Sequence, residues 1–125
     1  LLVSASFFNQ EQAFAQSNSG HPEVDLCLGE DPRLQGACLF FVKGAVQGLE
    51  MGVASVATKQ GVSSEEALVA YQQSALLACP PENIGFPQYT AVLRKYLEDN
   101  PQNRHEPLIG LVLLALIDAF PCPVN

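Results

Sequence analysis

CPPENIGFPQYTAVLRKYLEDNPQNRHEPLIGLVLLALIDAFPC, the segment from Cys79 to Cys122, decides the fold of this 125-residue chain. It contains two helix patterns joined by a short polar turn, which predicts a helical hairpin with a cysteine at each outer end. In such a hairpin the first helix begins near the end of the second. We therefore expect a disulfide between Cys79 and Cys122, which stabilises a loop of this length by about 4 kcal/mol in the chain-entropy model.

Helix patterns also fill most of the preceding sequence. Residues 16–37 are rich in Gly, Pro, Ser and acids, which predicts an irregular lead-in with at most one helical turn around residues 24–28. Apolar residues then recur at helical spacing from residue 37 to about residue 57. Three glycines lie on one stripe of this helix, which predicts tight packing against a neighbouring helix: Gly44, Gly48 and Gly52.

The next helix is predicted to begin after Gly61, where Ser63 and Glu66 form a capping-box pattern. It should end before Pro80, because proline cannot continue a helix. Five of its residues are predicted to face the core: Ala67, Leu68, Tyr71, Ala75 and Leu76.

The two helices of the hairpin complete the predicted fold. The first runs from Gln88 to about Asp99, and its apolar stripe is Tyr89, Val92, Leu93, Tyr96 and Leu97. Pro107 lies near the first turn of the second helix, which is apolar nearly all round. We expect this helix to be the centre of the core or to be partly covered by a second subunit. Strand patterns are weak, so the predicted fold is all-α, a small disulfide-stapled bundle of four to five helices.

Composition narrows the possible functions. Thirteen acids against six bases give a net charge of -7, which argues against nucleic acid as a partner. The acidic surface either steers the chain toward a basic partner or simply keeps it soluble. His21 and His105 are the only histidines, too few and too far apart for a metal cluster. No phosphate or calcium loop is present, so we expect neither a metal nor a cofactor.

The four cysteines indicate an oxidising compartment. None lies in a Cys-x-x-Cys pair of the kind found in zinc or redox sites, so we expect disulfides and a periplasmic, exported bacterial protein. With Cys79 paired to Cys122, Cys27 pairs with Cys38, although the sequence leaves the two other pairings open. An oxidised cysteine provides no thiolate that His105 could activate, so we expect a binding protein and not an enzyme.

The N-terminus has two interpretations. Residues 1–15 begin with an apolar run and end in Ala13-Phe14-Ala15, which resembles a signal-peptidase site. Alternatively, residues 5–16 form a helix of the mature chain, because no charged region precedes the run. Residues 16–125 are predicted to form a single helical domain. No stretch reaches the roughly 18 consecutive apolar residues that cross a bilayer, so we expect no membrane insertion.

Three stretches of the hairpin resemble the Rap/Tai immunity proteins. They are Cys79-Pro80-Pro81, KYLEDNPQNRH from Lys95 to His105, and LVLLALIDAFPC from Leu111 to Cys122. A fainter similarity extends over Cys38 to Gly44, and the motifs are specific only in combination. Residues 57–78 depart from the pattern, because this segment is longer than the family usually has and predicts an extra helix.

The resemblance implies a small helical periplasmic protein, often a homodimer, that neutralises an amidase effector of type VI secretion. Such a protein plugs the groove of a papain-like cysteine amidase that cuts peptidoglycan stem peptides. By position, the plugging loop is the turn from Asp99 to Glu106. Its implied partner-binding residues are Asp99, Asn100, Gln102, Asn103, Arg104 and His105, among which Gln102, Asn103 and Arg104 are preferred.

Other interpretations of the same residues remain open. Asn100 and Pro101 would also serve to end and turn the helix, and His105 to cap the last helix. Two other functions fit the chain as a whole. One is a periplasmic holdase chaperone of the acid-stress type, which is also short, helical and disulfide-bonded, and the other is a binding module of an envelope complex.

Overall fold

A computed structural model describes residues 22–123 as a bundle of five α-helices and one short 3-10 helix. In chain order these are α1 (Pro22–Leu28), α2 (Pro32–Lys59), α3 (Glu65–Leu76), α4 (Phe86–Asp99), the 3-10 helix Pro101–Asn103 and α5 (Leu108–Ala119). Within this range no strand forms, and the predicted all-α class is confirmed. The candidate signal sequence and His21 lie outside the described residues.

The lead-in is more helical than the composition predicts. α1 has seven residues, and α2 begins at Pro32 instead of near residue 37. The cause is local, because the Asp31 carboxylate accepts a hydrogen bond from the Arg33 backbone N–H at 2.9 Å and Pro32 occupies the first helical position. At the other end Gly61 follows α2 with a φ of 92°, a left-handed conformation that favours glycine.

α3 forms in the predicted segment, but its cap and its inner face differ from the prediction. The N-cap is Ser64 and not Ser63, since the Ser64 hydroxyl accepts a hydrogen bond from the Ala67 N–H at 3.1 Å. No residue of α3 is fully buried, and Ala67 and Ala75 are exposed instead of facing the core. The reason is that α3 packs chiefly against a single helix, α2, and so covers only one narrow side.

The core lies where α1, α2, α4 and α5 meet. Its most deeply buried large side chains include Val24, Val42, Leu93, Leu97 and Leu111. The predicted stripe of α4 is confirmed, since Tyr89, Leu93 and Leu97 are buried and Val92 and Tyr96 pack against them. α5 is a core helix on one side only, because Ile109 and Leu114 remain exposed.

Both expected disulfides are present. Cys27 pairs with Cys38 at a Cα–Cα distance of 5.0 Å, and Cys79 pairs with Cys122 at 4.9 Å. The Cys79 backbone N–H also donates to the Phe120 carbonyl at 2.8 Å. The outer ends of the hairpin are therefore joined by both a covalent and a hydrogen bond.

α2 is the longest helix and the one that contacts all the others. With 28 residues and a mean hydropathy of 1.3 over an 18-residue window, it is long and apolar enough to cross a membrane. A core helix of a globular bundle passes the same test, and α2 packs against each of the other four α-helices. Only 22% of that window is buried, however, so α2 has one covered face and one open face.

Candidate functional site

The turn between α4 and α5 brings together the six residues predicted to bind a partner. It begins at Asp99, continues through the 3-10 helix Pro101–Asn103, and ends at Glu106, just before Pro107, the N-cap of α5. The disulfide between Cys79 and Cys122 joins the other end of the same hairpin. The turn is thus a short polar connection between two helices whose outer ends are joined by a disulfide.

Three of these side chains face inward and fasten the turn to the end of α4. The Arg104 Nε donates to the Leu97 carbonyl at 2.8 Å, and the Asn103 amide donates to the Tyr96 hydroxyl at 3.1 Å. The Asn100 amide donates to the Tyr96 carbonyl at 2.9 Å. All three side chains are half-buried. We call Asn100, Asn103 and Arg104 the anchor residues of the turn.

The outward groups of the turn are different residues. Gln102 is exposed, and its amide donates to the Asn100 side-chain oxygen at 3.3 Å. The His105 imidazole is 70% exposed and lies 3.1 Å from the Glu106 carboxylate. Asp99 forms an ion pair with Lys95, and this hydrogen bond raises the pKa of the Lys95 ammonium. We call Gln102 and His105 the tip residues, because they present polar atoms to solvent.

The geometry also decides between the alternative roles of the turn residues. Asn100 does end α4, since its backbone N–H donates to the Tyr96 carbonyl at 2.9 Å, and Pro101 begins the 3-10 helix. His105 does not cap the last helix, because the N-cap of α5 is Pro107 and no side chain caps it. His105 is therefore not needed for that helix end.

A second surface, which the sequence pattern did not predict as exposed, runs along α2. Gly44, Gly48 and Gly52 are exposed, and a Cβ atom built on any of them meets nothing within 4 Å. Within residues 22–123 the predicted packing of these glycines against a neighbouring helix is thus wrong, because α1, α4 and α5 cover the opposite side of α2. Phe40 is 73% exposed and Val56 is 51% exposed at the two ends of the stripe.

This surface, which we call the α2 face, consists of Phe40, Gly44, Gly48, Met51, Gly52 and Val56. None of these residues is charged. Exposed apolar residues on one helix are the kind of surface that proteins use for association. The signal that could have identified it is the spacing of four residues that the glycines share with Phe40 and Val56.

The described residues offer binding groups and few reactive ones. All four cysteines of the sequence are in disulfides, so none provides a thiolate. Among residues 22–123 no three His, Cys, Asp or Glu side chains are grouped to hold a metal ion. Hydrogen-bonding groups on a fixed turn and an apolar helix face are suited to protein recognition.

Comparison with known protein families identifies the family of this chain. The family model of the Rap1a immunity proteins matches residues 19–122, which includes the hairpin, the turn, both disulfides and the segment 57–78. Searches of curated proteins and of solved structures gave no match. Because the matched region is most of the sequence and contains every described helix, the chain belongs to the Rap1a immunity protein family.

Proposed function

We propose that this chain is a periplasmic, non-enzymatic immunity protein that binds and inhibits a peptidoglycan-cleaving amidase effector of type VI secretion. The turn Asp99–Glu106 enters the active-site groove of the amidase. The family match supports the immunity role and the binding of a cognate effector. The disulfides favour an oxidising compartment.

The observation that carries the loop assignment is the division of the turn into anchor and tip. Three hydrogen bonds hold its base on α4, while Gln102 and His105 remain exposed. A loop that is already ordered loses less conformational entropy when it binds, so a fixed turn binds more tightly than a mobile one with the same groups. The anchor residues act by positioning, and the tip residues make the contacts.

The assignment of the turn as the inhibitory loop is tested by the survival of cells that produce the amidase together with this chain or one of its variants. The first check is whether the neighbouring gene encodes a secreted amidase, which would then be the effector in this assay. Gln102→Ala/His105→Ala should abolish protection and leave the melting temperature unchanged, because both side chains are exposed. Asn103→Ala/Arg104→Ala should also lose protection, but with a lower melting temperature, because two hydrogen bonds to α4 are removed. Full protection by either double variant would show that the loop assignment is wrong.

The α2 face supports a homodimer as the active form. Phe40 and Val56 lie at equal distances in sequence on either side of Gly48, and so do Gly44 and Gly52. Two copies of α2 that cross antiparallel at Gly48 would therefore place Gly48 against Gly48 and Gly44 near Gly52 of the second copy. A two-fold interface requires this kind of self-complementary surface. Because glycine has no side chain, the backbones of the two helices can approach closely at these positions.

A second candidate function, the acid-stress holdase, is also favoured by the α2 face. A holdase needs exposed apolar surface, and Phe40, Met51 and Val56 supply it. Dye binding and suppression of client aggregation should then increase near pH 3 as a dimer dissociates. If neither quantity changes between pH 7 and pH 3, this function is excluded.

A further inference from the structure

A groove opens between α2, α3, residues 78–82 and α5, and none of the residues of the turn lines it. It has a volume of about 240 Å³. Most of its wall is apolar, formed by Val46, Leu49, Val69, Leu76, Leu113 and Leu116. We call it the α2–α3 groove, because α3 closes over α2 where the Gln72 amide donates to the Glu50 carbonyl at 3.0 Å.

The polar groups of the groove are acidic or neutral. Glu50 on α2 and Glu82 in the segment 78–82 both line the groove, and no Lys, Arg or His lines it. Within residues 22–123 neither carboxylate has a cationic partner. Tyr89 is buried beside Glu50, and burial, together with the Glu50 charge, raises the pKa of its phenol. The phenol is therefore neutral at pH 7, and the charge of the groove comes from the two carboxylates.

Size and charge together select the occupant. Pockets for drug-sized ligands have volumes of about 300 to 1,000 Å³, so a groove of about 240 Å³ suits a single long side chain better than a whole small molecule. Lys and Arg place an aliphatic stem along apolar surface while the charged end reaches polar groups. An apolar wall with two unpaired carboxylates complements such a side chain, and the net charge of -7 attracts a basic partner.

We propose that the α2–α3 groove is a second contact surface for the effector and takes one basic side chain, arginine or lysine, that the effector presents. This inference rests on the proposed function for the identity of the partner. The preference of the groove for a cation does not depend on that function, because it follows from the residues that line the groove. Glu50 and Glu82 set that preference, and the apolar wall packs against the stem.

The first test uses a probe that needs no effector. N-acetylarginine methylamide is titrated into the isotope-labelled chain, with the neutral analogue N-acetylcitrulline methylamide as the comparison. The arginine probe should shift the amide signals of residues 72–79 and of Glu82 saturably, and the citrulline probe should not. In Glu50→Gln/Glu82→Gln the apparent dissociation constant should rise at least tenfold. Glu65→Gln/Glu66→Gln, which removes two exposed charges outside the groove, should behave as the wild type. Equal shifts with both probes would overturn the cation preference.

The second test separates this inference from the proposed function. Glu50→Gln/Glu82→Gln should bind the amidase at least tenfold more weakly than Glu65→Gln/Glu66→Gln does. If the two variants and the wild type bind the amidase equally, the groove is not a contact surface, while the turn assignment stands. If the wild type itself does not bind the amidase, the proposed function fails, and the groove loses its assigned partner.

Discussion

Single side chains decide where the elements of this chain begin and how the turn is held. Asp31 moves the start of α2 to Pro32, and Ser64 starts α3 one residue later than the pattern indicated. Arg104, which has the polar character of a contact residue, donates to the Leu97 carbonyl and so positions the turn. At the scale of the residue, the hydrogen bond that a side chain makes decides its role, and polarity alone does not.

Asp31 makes α2 pH-sensitive at its N-terminus. Hydrogen bonds from the Arg33 side chain and its backbone N–H lower the pKa of the Asp31 carboxyl. A lowered pKa in the folded state gives stability that is present above the unfolded pKa and is lost as the pH falls through the folded pKa. Asp31→Ala should therefore lower the melting temperature at pH 7, and the difference from the wild type should shrink below about pH 4.

Asp31→Asn is the matched control for that measurement, because an asparagine caps the helix without a charge. The difference in melting temperature between Asp31→Asn and Asp31→Ala should not change with pH. A wild-type advantage over Asp31→Ala that is the same at pH 7 and pH 3 would contradict the role of the carboxylate.

Two leucines on α5 test the one-sided burial of this helix. Leu111 is 0% exposed and Leu114 is 43% exposed. Leu111→Ala leaves a cavity in the core and should reduce the free energy of unfolding by about 3 kcal/mol. Leu114→Ala should change it by less than about 0.5 kcal/mol. Urea unfolding measures both, and similar losses for the two variants would show that α5 is buried all round.

At the scale of the element, the hairpin of α4 and α5 is fastened at both ends. Its two helices pack together, the disulfide closes one end, and the anchor residues fix the turn at the other. α3 is different, because it contacts mainly α2 and has no buried residue, so its contribution is the wall of the α2–α3 groove.

Removal of the disulfide between Cys79 and Cys122 should lower the free energy of unfolding more than removal of the disulfide between Cys27 and Cys38. The sequence separation is 43 residues for Cys79 and Cys122 but 11 for Cys27 and Cys38. In the chain-entropy model the longer loop contributes about 4 kcal/mol and the shorter about 3 kcal/mol. Cys79→Ser/Cys122→Ser should thus lower the free energy of unfolding more than Cys27→Ser/Cys38→Ser, as measured by urea unfolding. The reverse order would show that packing around the cysteines outweighs loop length.

At the scale of the whole molecule, three regions stand out on the surface that residues 22–123 form: the polar turn, the acidic α2–α3 groove and the apolar α2 face. We propose that the first two contact the effector and that the third contacts a second copy of the chain. This assignment leaves each region with a partner of matching chemistry.

Gly48→Ala separates the properties of the monomer from those of the dimer. A Cβ atom at Gly48 meets nothing within 4 Å in the monomer, so alanine should raise the free energy of unfolding of the monomer by about 1 kcal/mol through helix propensity. The same methyl group should weaken the dimer, as measured by sedimentation equilibrium, because it separates the two backbones.

Gly110→Ala is the matched control for Gly48→Ala. Gly110 is a helical glycine on α5 whose Cβ also meets nothing within 4 Å, so alanine there should stabilise the monomer and leave the dimer unchanged. A wild-type chain that is monomeric at all concentrations, or a Gly48→Ala dimer as stable as that of the wild type, would exclude the α2 face as the interface.

The sequence by itself determined the helical class and the two helices of the hairpin, and it favoured the disulfide pairing that the structure shows. These follow from local rules: apolar spacing, Pro and Gly at helix ends, and the requirement that the ends of an antiparallel hairpin lie together. The residues of the hairpin also carried the family resemblance, which the match over residues 19–122 confirmed.

Only the tertiary structure decided which faces are covered. The glycine stripe of α2 is exposed although its pattern predicts close packing, and Ala67 and Ala75 of α3 are exposed although they lie on an apolar stripe. Periodicity identifies an apolar side of a helix but not whether the chain supplies a neighbour for it. The same holds for the turn, where the direction of Asn103 and Arg104 depends on Tyr96 and Leu97 of the packed α4. Packing brings those atoms within hydrogen-bonding distance, and no local pattern encodes it.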